Sequence, residues 1–317
     1  QLMSLSGAPA RYTISQESSG GVDGNSKWNK ILVTTADGSP AAADTHYYGQ
    51  KIEGNSVQSL LDSSGDLQAC TMSFDVYVHA DGASSISFPA TLVVFANDHG
   101  FGGQQYAKTF TVTSNDTWQR VSVPIAANTN ITIDNDTSDE FSVGVTIYAG
   151  SGKVISDATW GSAAGTDTSV SGAENLADVV NNYLGLTNVQ LEVGSVATDF
   201  EHEAISTTLA KCQRYFYRGG TGASGGAVST SQVILGFQFP QEMRAASTAA
   251  LIDTSISVFN TAGSGLASSG SAIDYSSIKK EGALTRINGW SGGNAQVQHY
   301  PVIVYNNDPF ITFSAEL

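Results

Sequence analysis

The sequence predicts an all-β chain in two domains. A jelly-roll β-sandwich spans residues 1–200, and a smaller, mostly β domain with one short leading helix spans 201–317. Three observations predict this. Short apolar–polar alternations recur every ten to fifteen residues, each bounded by Gly, Asp, Asn or Pro. Long 3.6-residue periodicity is almost absent. At 317 residues the chain suits roughly two domains of ~100–200 residues each.

The expected strands of the first domain are residues 11–17, 28–35, 46–53, 69–78, 90–96, 108–112, 118–124, 141–148 and 186–193, nine in all. In the last of these, Leu186, Val189, Leu191 and Val193 are the expected apolar positions, and Gly194 ends the strand. Single helical pieces are expected at 57–62 and 173–183. Ser151 to Gly172 reads as a long Gly/Ser/Thr/Ala loop with Trp160 at its centre, a length that tends to be functional or disordered inside a compact domain. The domain boundary is placed near 195–205. There the period changes, and Leu209, Cys212 and Phe216, with Tyr215 close by, fall three and four apart as on one helix face. In the second domain strands are expected at 233–239, 255–260, 283–290, 295–305 and 311–317. Gly219–Thr230 and Thr261–Ser271 read as turn regions.

Charge narrows the partners. Fourteen Lys and Arg against 29 Asp and Glu give a net charge of −15, which repels phosphate backbones and disfavours nucleic acid. No apolar run approaches the ~20 residues of a membrane span, and no charged-then-apolar leader opens the chain. Cys70 and Cys212 fall in different domains without C-x-x-C spacing and read as free thiols. A neutral glycan or a protein neighbour is the easier partner.

Catalytic constellations are absent from the sequence: no H-E-x-x-H, no phosphate loop, no G-x-S-x-G elbow. A glycan-hydrolysing carboxylate pair remains an alternative, because its members need not be close in sequence. Neutral sugar recognition asks for flat aromatic faces beside amides. The loop N-D-H-G-F-G-G-Q-Q-Y supplies Asn97, Asp98, His99, Gln104, Gln105 and Tyr106, and Trp160 with Tyr148 forms a second candidate pair. Asp134, Asp136, Asp139 and Glu140 make the densest acidic run. It begins like a calcium loop but has Asp139 where position six needs Gly and Val145 at position twelve. Solvated turn and looser calcium site both stay open there, with Asp23 and Glu53 as further loose ligands. Trp118, Tyr47, Phe74, Phe141 and Phe237 are assigned to cores, and Trp28 and Trp290 to strand edges. Arg214 and Tyr215 are expected to tie the junction helix to a sheet, and Arg244 to anchor a loop carboxylate or carbonyl.

Five strings together, Y-Y-G-Q-K-I-E-G (47–54), M-S-F-D-V-Y-V (72–78), T-W-Q-R-V-S-V-P (117–124), F-P-Q-E-M-R-A (239–245) and the junction 186–202, resemble virion surface proteins of tailed bacteriophages. The resemblance implies a carbohydrate-binding-module-like jelly-roll followed by a small domain ending in a strand like I-T-F-S-A-E-L. It further implies a non-enzymatic tail-fibre, spike or head-fibre component on the virion surface, bound to other virion proteins. A homo-oligomer, with a trimer favoured, and attachment to host-surface glycan follow from it. A capsid or tail decoration protein without a receptor role is the alternative. Related chains open with a strand and a loop holding Asp, Arg and Trp. This chain begins at Gln1, close to R-Y-T-I-S-Q, so a first strand is expected to be missing.

Overall fold

The computed structural model describes residues 2–4, 10–22, 25–96, 103–162, 167–220, 222–229, 231–252, 255–260, 265–269, 272–289, 301–304 and 310–316. The chain forms two compact units, Gln1–Glu201 and His202–Glu316.

The first unit is built from β1 (Leu2–Ser4), β2 (Arg11–Glu17), β3 (Trp28–Thr35), β4 (Thr45–Glu53), α1 (Gly54–Val57), β5 (Cys70–His79), β6 (Phe88–Ala96), β7 (Gln104–Val112), β8 (Gln119–Ile125), β9 (Asp139–Ala149), the two-residue strands β10 (Val154–Ile155), β11 (Gly161–Ser162) and β12 (Ser169–Val170), and β13 (Tyr183–Val193). A six-stranded sheet in the order β1-β4-β9-β6-β7-β11 faces a five-stranded sheet in the order β2-β3-β13-β5-β8. As the chain proceeds it passes repeatedly from one sheet to the other, which gives the jelly-roll sandwich. A short strand precedes R-Y-T-I-S-Q: β1 pairs antiparallel with β4.

Alternation sets the core. In β5, Cys70, Met72, Phe74, Val76 and Val78 point inward. In β3 it is Ile31 and Val33, in β8 Val123 and Ile125, and in β13 Leu184 and Leu186. They meet Leu92 and Val94 of β6, Phe110 of β7 and Phe141, Val143, Val145 and Ile147 of β9. Phe74 sits edge-on to Phe110 at 5.3 Å across the interface. Burying these side chains removes several hundred Å² of apolar surface from water and is the main stabilising term.

β13 departs from its expected pattern. Its register against β5 shifts between Thr187 and Gln190, and Asn188 takes a positive φ of 49°, as at a β-bulge. The extra residue changes the phase, so that Leu191 and Val193 lie opposite the inward Met72 and Cys70; Leu191 packs against the core, while Val189 in the bulge and Val193 at the strand's end are exposed. The expected helical pieces shrink to α1 plus a 3-10 turn at Gln58–Leu60, and to a 3-10 turn at Leu176–Asp178.

The second unit opens with α2 (Ile205–Gln213), then β14 (Phe216–Gly219), β15 (Ser224–Ser229), β16 (Gln232–Gln238), β17 (Thr248–Leu251), β18 (Ser255–Asn260), β19 (Gly265–Ser269), β20 (Ala272–Ile278), β21 (Gly282–Asn288), β22 (Pro301–Val304) and β23 (Ile311–Ser314). Seven strands order as β19-β18-β22-β15-β16-β21-β20, and three as β14-β23-β17. Two regions expected to be turns hold strands instead. Ser224–Ser229 pairs with both β16 and β22, and Gly265–Ser269 pairs with β18. Sheet partners override the weak local propensity of these Gly/Ser runs. α2 stops before Phe216, which belongs to β14, and buries none of its residues. The expected leading helix is present and carries Leu209 and Cys212, but Tyr215 and Phe216 lie beyond it.

Phe237, Phe239, Phe310 and Phe313 centre the second core, with Phe239 and Phe313 ring centroids 4.9 Å apart. Gly220 lies against Phe310 at φ 126°, a conformation and a closeness that only a residue without Cβ allows. Arg244 donates to the carbonyls of Ala315 (2.9 Å) and Glu316 (3.1 Å), which makes carbonyls its anchor. Cys70 and Cys212 are free thiols, and burial pushes the Cys70 thiol up to about 11. Among the described residues no helix is long and apolar enough to cross a membrane.

Phe74→Ala, at a fully buried position, is expected to destabilise the first unit by about 3–5 kcal/mol. Val189→Ser, on the exposed bulge, should stay within about 0.5 kcal/mol. Urea midpoints followed by near-UV circular dichroism check both.

Candidate functional site

Among the described residues of the first unit, the outward face of the five-stranded sheet carries the densest aromatic group. Residues of opposite parity to the core positions supply it: Trp28 and Lys30 on β3, Tyr77 and His79 on β5, Tyr183 on β13, and Trp118 just before β8. Strand register brings them together. Tyr183 lies opposite His79, and Gly185 lies opposite both Tyr77 and Lys30. Tyr77 and Tyr183 stack with centroids 5.6 Å apart and planes 7° from parallel. His79 stacks on Tyr183 at 4.8 Å, and Trp28 stands edge-on to Trp118 at 5.5 Å. The Lys30 ammonium lies 4.2 Å from the Tyr183 ring centroid, within range for cation–π attraction. All six side chains are half-buried, leaving ring surface in water.

Gly185 is the floor of this cluster. A Cβ there would come 3.0 Å from the Trp28 ring and 3.1 Å from the Trp118 ring, so the missing side chain is what lets both indoles lie over the sheet. The indoles are also fixed at their edges. Trp28 Nε1 donates to the carbonyl of Ser19 and Trp118 Nε1 to that of Gly20, both at 2.8 Å. Gly20 has a φ of 73°, so the turn that presents two successive carbonyls to two tryptophans depends on glycine.

A polar network borders the aromatics on the bulge side. Asn25 Nδ2 donates to Thr187 Oγ1 and Asn188 Oδ1, each at 3.0 Å, and Asn188 Nδ2 donates to Asp75 Oδ2 at 2.8 Å. Arg120 reaches the Asn188 carbonyl at 2.6 Å and Ser73 Oγ at 2.7 Å, with Asp75 3.6 Å away. On the other side Asp116 Oδ1 is 2.7 Å from His79 Nδ1 and accepts from Tyr77 Oη at 3.1 Å. The His79 hydrogen bond holds the Asp116 carboxyl below its usual range. Burial, then hydrogen bonding to Tyr183 and Asp116, raises the Tyr77 phenol. An arrangement of flat faces flanked by amides, a carboxylate and a guanidinium can stack on C–H surfaces and exchange hydrogen bonds with hydroxyls.

The residues singled out from sequence as binding candidates are not part of this aromatic group where they are described. Asn97, Asp98 and His99 fall outside the described residues, as do Asp23 and Trp290. Gln104 is half-buried at the start of β7. Gln105 is 3% and Tyr106 2% exposed, both paired within the sheet. Tyr106 donates to the Pro124 carbonyl at 3.1 Å and packs against Trp160 at 5.2 Å, while Trp160 Nε1 donates to the Ala126 carbonyl at 2.7 Å. Tyr106 belongs to the sandwich core, and the half-buried Trp160 packs against it. Tyr148 is fully buried: its hydroxyl donates to Asp37 and Asp44, its ring stacks on His46 at 5.3 Å, and its phenol is raised chiefly by burial.

The candidate calcium run does not converge either. Asp139 pairs with Lys51 at 2.6 Å. Asp136 accepts from the Ser138 amide and hydroxyl at 2.7 and 3.0 Å. Asp134 is exposed, and Glu53 and Glu140 are buried. Asp139 and Glu140 are successive residues of β9 and project to opposite faces. Among the described residues no three acidic, His or Cys side chains come together as metal ligands.

The chain matches no protein-family model and no curated protein. Solved structures similar to it include the enzymatically active domain of a tailspike protein of bacteriophage CBA120, at 8% identity and TM-score 0.34, covering 61% of this chain and 19% of that one. The chain thus corresponds to a minor part of the tailspike's length. The family 11 carbohydrate-binding module of the Clostridium thermocellum cellulase Lic26A-Cel5E aligns at 13% identity and TM-score 0.32, covering 64% and 91% of the two chains. The tandem family 22 modules of Paenibacillus barcinonensis Xyn10C align at 10% identity and TM-score 0.31, covering 99% and 93%. The sandwich itself stands on the strand pairing above and not on these superpositions.

Trp118, expected in the core, lies instead on the outer face, where Trp28 and Tyr183 join it. The missed signal is parity. Trp28, Tyr77 and Tyr183 occupy the non-core phase of strands whose other phase is aliphatic.

Acid should weaken the Asp116 contacts. A folded-state pKa below the unfolded ~3.9 means their contribution is complete above that value and is lost as pH falls through the folded value. Asp116→Asn is expected to remove this part of the acid dependence, checked by comparing melting temperature against pH for the two proteins.

Proposed function

We propose that this chain is a non-catalytic glycan-binding protein whose ligand lies along the outward face of the five-stranded sheet. The single observation that carries the reading is the half-exposed group of Trp28, Trp118, Tyr77 and Tyr183, set over Gly185 and flanked by Asn25, Asn188, Asp75 and Arg120. Stacking on aromatic faces with hydrogen bonds at the rim is how a neutral sugar, apolar on its C–H face and polar around its edge, is held in water. The five sequence strings support placing this activity on the surface of a tailed-phage particle, bound to other virion proteins, with host-surface glycan as ligand and a trimer as the assembly. In this reading the second unit serves assembly. A particle-decorating role without receptor binding is the second reading, and one observation favours it: α2 buries no residue and exposes Ile205 and Leu209.

A glycan array probed with the full chain tests the first reading. Wild type should bind at least one neutral polysaccharide, and Trp28→Ala and Trp118→Ala should each weaken it by about ten-fold, equivalent to ~1.4 kcal/mol, while circular dichroism stays unchanged. Absence of binding across the array, or binding indifferent to both tryptophans, would overturn it.

A further inference from the structure

We infer that the first unit holds a second and separate ligand site, a pocket at one end of the sandwich that takes a single neutral pyranose. The cavity has a volume of about 180 Å³, room for about six waters at ~30 Å³ each and for one sugar ring. Its floor is apolar, formed by Val78, Phe88 and Leu176, of which Val78 and Leu176 belong to the core. Its rim is polar and acidic, carrying Ser87, Glu174 and Asp178.

The rim is held in place by amides whose own bonds are already made. Asn182, nine-tenths or more buried, accepts from the Asp81 amide at 2.8 Å and donates to the Leu176 carbonyl at 3.1 Å and to Asp178 Oδ1 at 2.8 Å. Asn175 accepts from the Ala177 amide and donates to the Asp37 carbonyl, both at 2.8 Å. With those amides committed, the remaining polar groups of the lining are the Glu174 and Asp178 carboxylates and the Ser87 hydroxyl. Carboxylates accept only, so the complement is a ligand rich in donors.

Among the described residues no Lys, Arg or His lines the cavity, which disfavours a uronic acid or a phosphate. Two carboxylates without a third acidic, His or Cys partner do not make a metal site. A neutral pyranose meets both demands: its hydroxyls donate to the carboxylates and its C–H face covers the aliphatic floor. Val78 and Asn182 immediately precede His79 and Tyr183 but have the opposite parity. The pocket therefore lies on the other side of the sheet from the aromatic face and opens at its exposed rim, and it does not depend on the reading of that face.

Saturation-transfer NMR on the full chain with the methyl glycosides of glucose, galactose, mannose and glucuronic acid tests the proposal. At least one neutral glycoside is expected to bind with a Kd on the order of 1 mM, and the glucuronide is expected not to compete. Glu174→Gln should weaken binding by about ten-fold or more, and Ser87→Tyr, which fills the mouth, should abolish it. Both positions are exposed, so neither change is expected to disturb folding. The proposal is overturned if no neutral glycoside binds, or if the glucuronide binds as well as the neutral sugars. Binding that survives both pocket variants but falls in Trp28→Ala belongs to the aromatic face, and overturns it too.

Discussion

The strict two-residue alternation of the five-stranded sheet is the constraint on which the rest of the molecule depends. Phe74, Val76 and Val78 can be buried only if Asp75, Tyr77 and His79 are turned outward, and the same holds for Leu184 and Leu186 against Tyr183, Gly185 and Thr187. A one-residue slip of β13 against β5 would put tyrosine in the core and leucine in water. Core and aromatic face are therefore specified by the same register, and neither can be altered in register without the other.

The bulge at Asn188 resolves a conflict within β13. Up to Thr187 the strand must continue the outward phase set by Tyr183 and Gly185. Beyond Gln190 it must return Leu191 to the core. One extra residue changes the phase, and Asn188, able to adopt positive φ at modest cost, supplies it while its side chain joins the Asp75 and Arg120 network. Geometry that corrects the register thus also places an amide at the rim of the aromatic group.

The all-β class and the positions of most strands were legible in the sequence because alternation is local. β2 and β3 begin and end where the pattern does, and β18 coincides with its expected range. What was not legible depends on partners distant in the chain. Ser224–Ser229 is composed like a turn and becomes a strand only because β16 and β22 flank it. Tyr106, Tyr148 and Trp160 looked like binding aromatics because they neighbour polar loops, but whether such a ring faces the core depends on the opposing sheet. Trp118 erred in the opposite direction: it precedes an alternating strand, and only the position of Gly185, 67 residues further on, shows that it lies over the outer face. The acidic run 134–140 carries many ligand atoms, but β9 starts inside it and turns neighbouring carboxylates apart.

The two indole N–H groups committed to Ser19 and Gly20 have a thermodynamic consequence. Free surface tryptophans sample several rotamers, and a ligand that settles on one must freeze that motion. Here folding has already removed the freedom, so the rings stand ready in one orientation and contact with them carries little further ordering entropy. The same commitment takes away their only donors, leaving the indoles blind to the pattern of polar groups on whatever lies against them. Discrimination between similar ligands is then left to the amides, carboxylate and guanidinium alongside, while the rings supply a preformed surface that responds to shape alone.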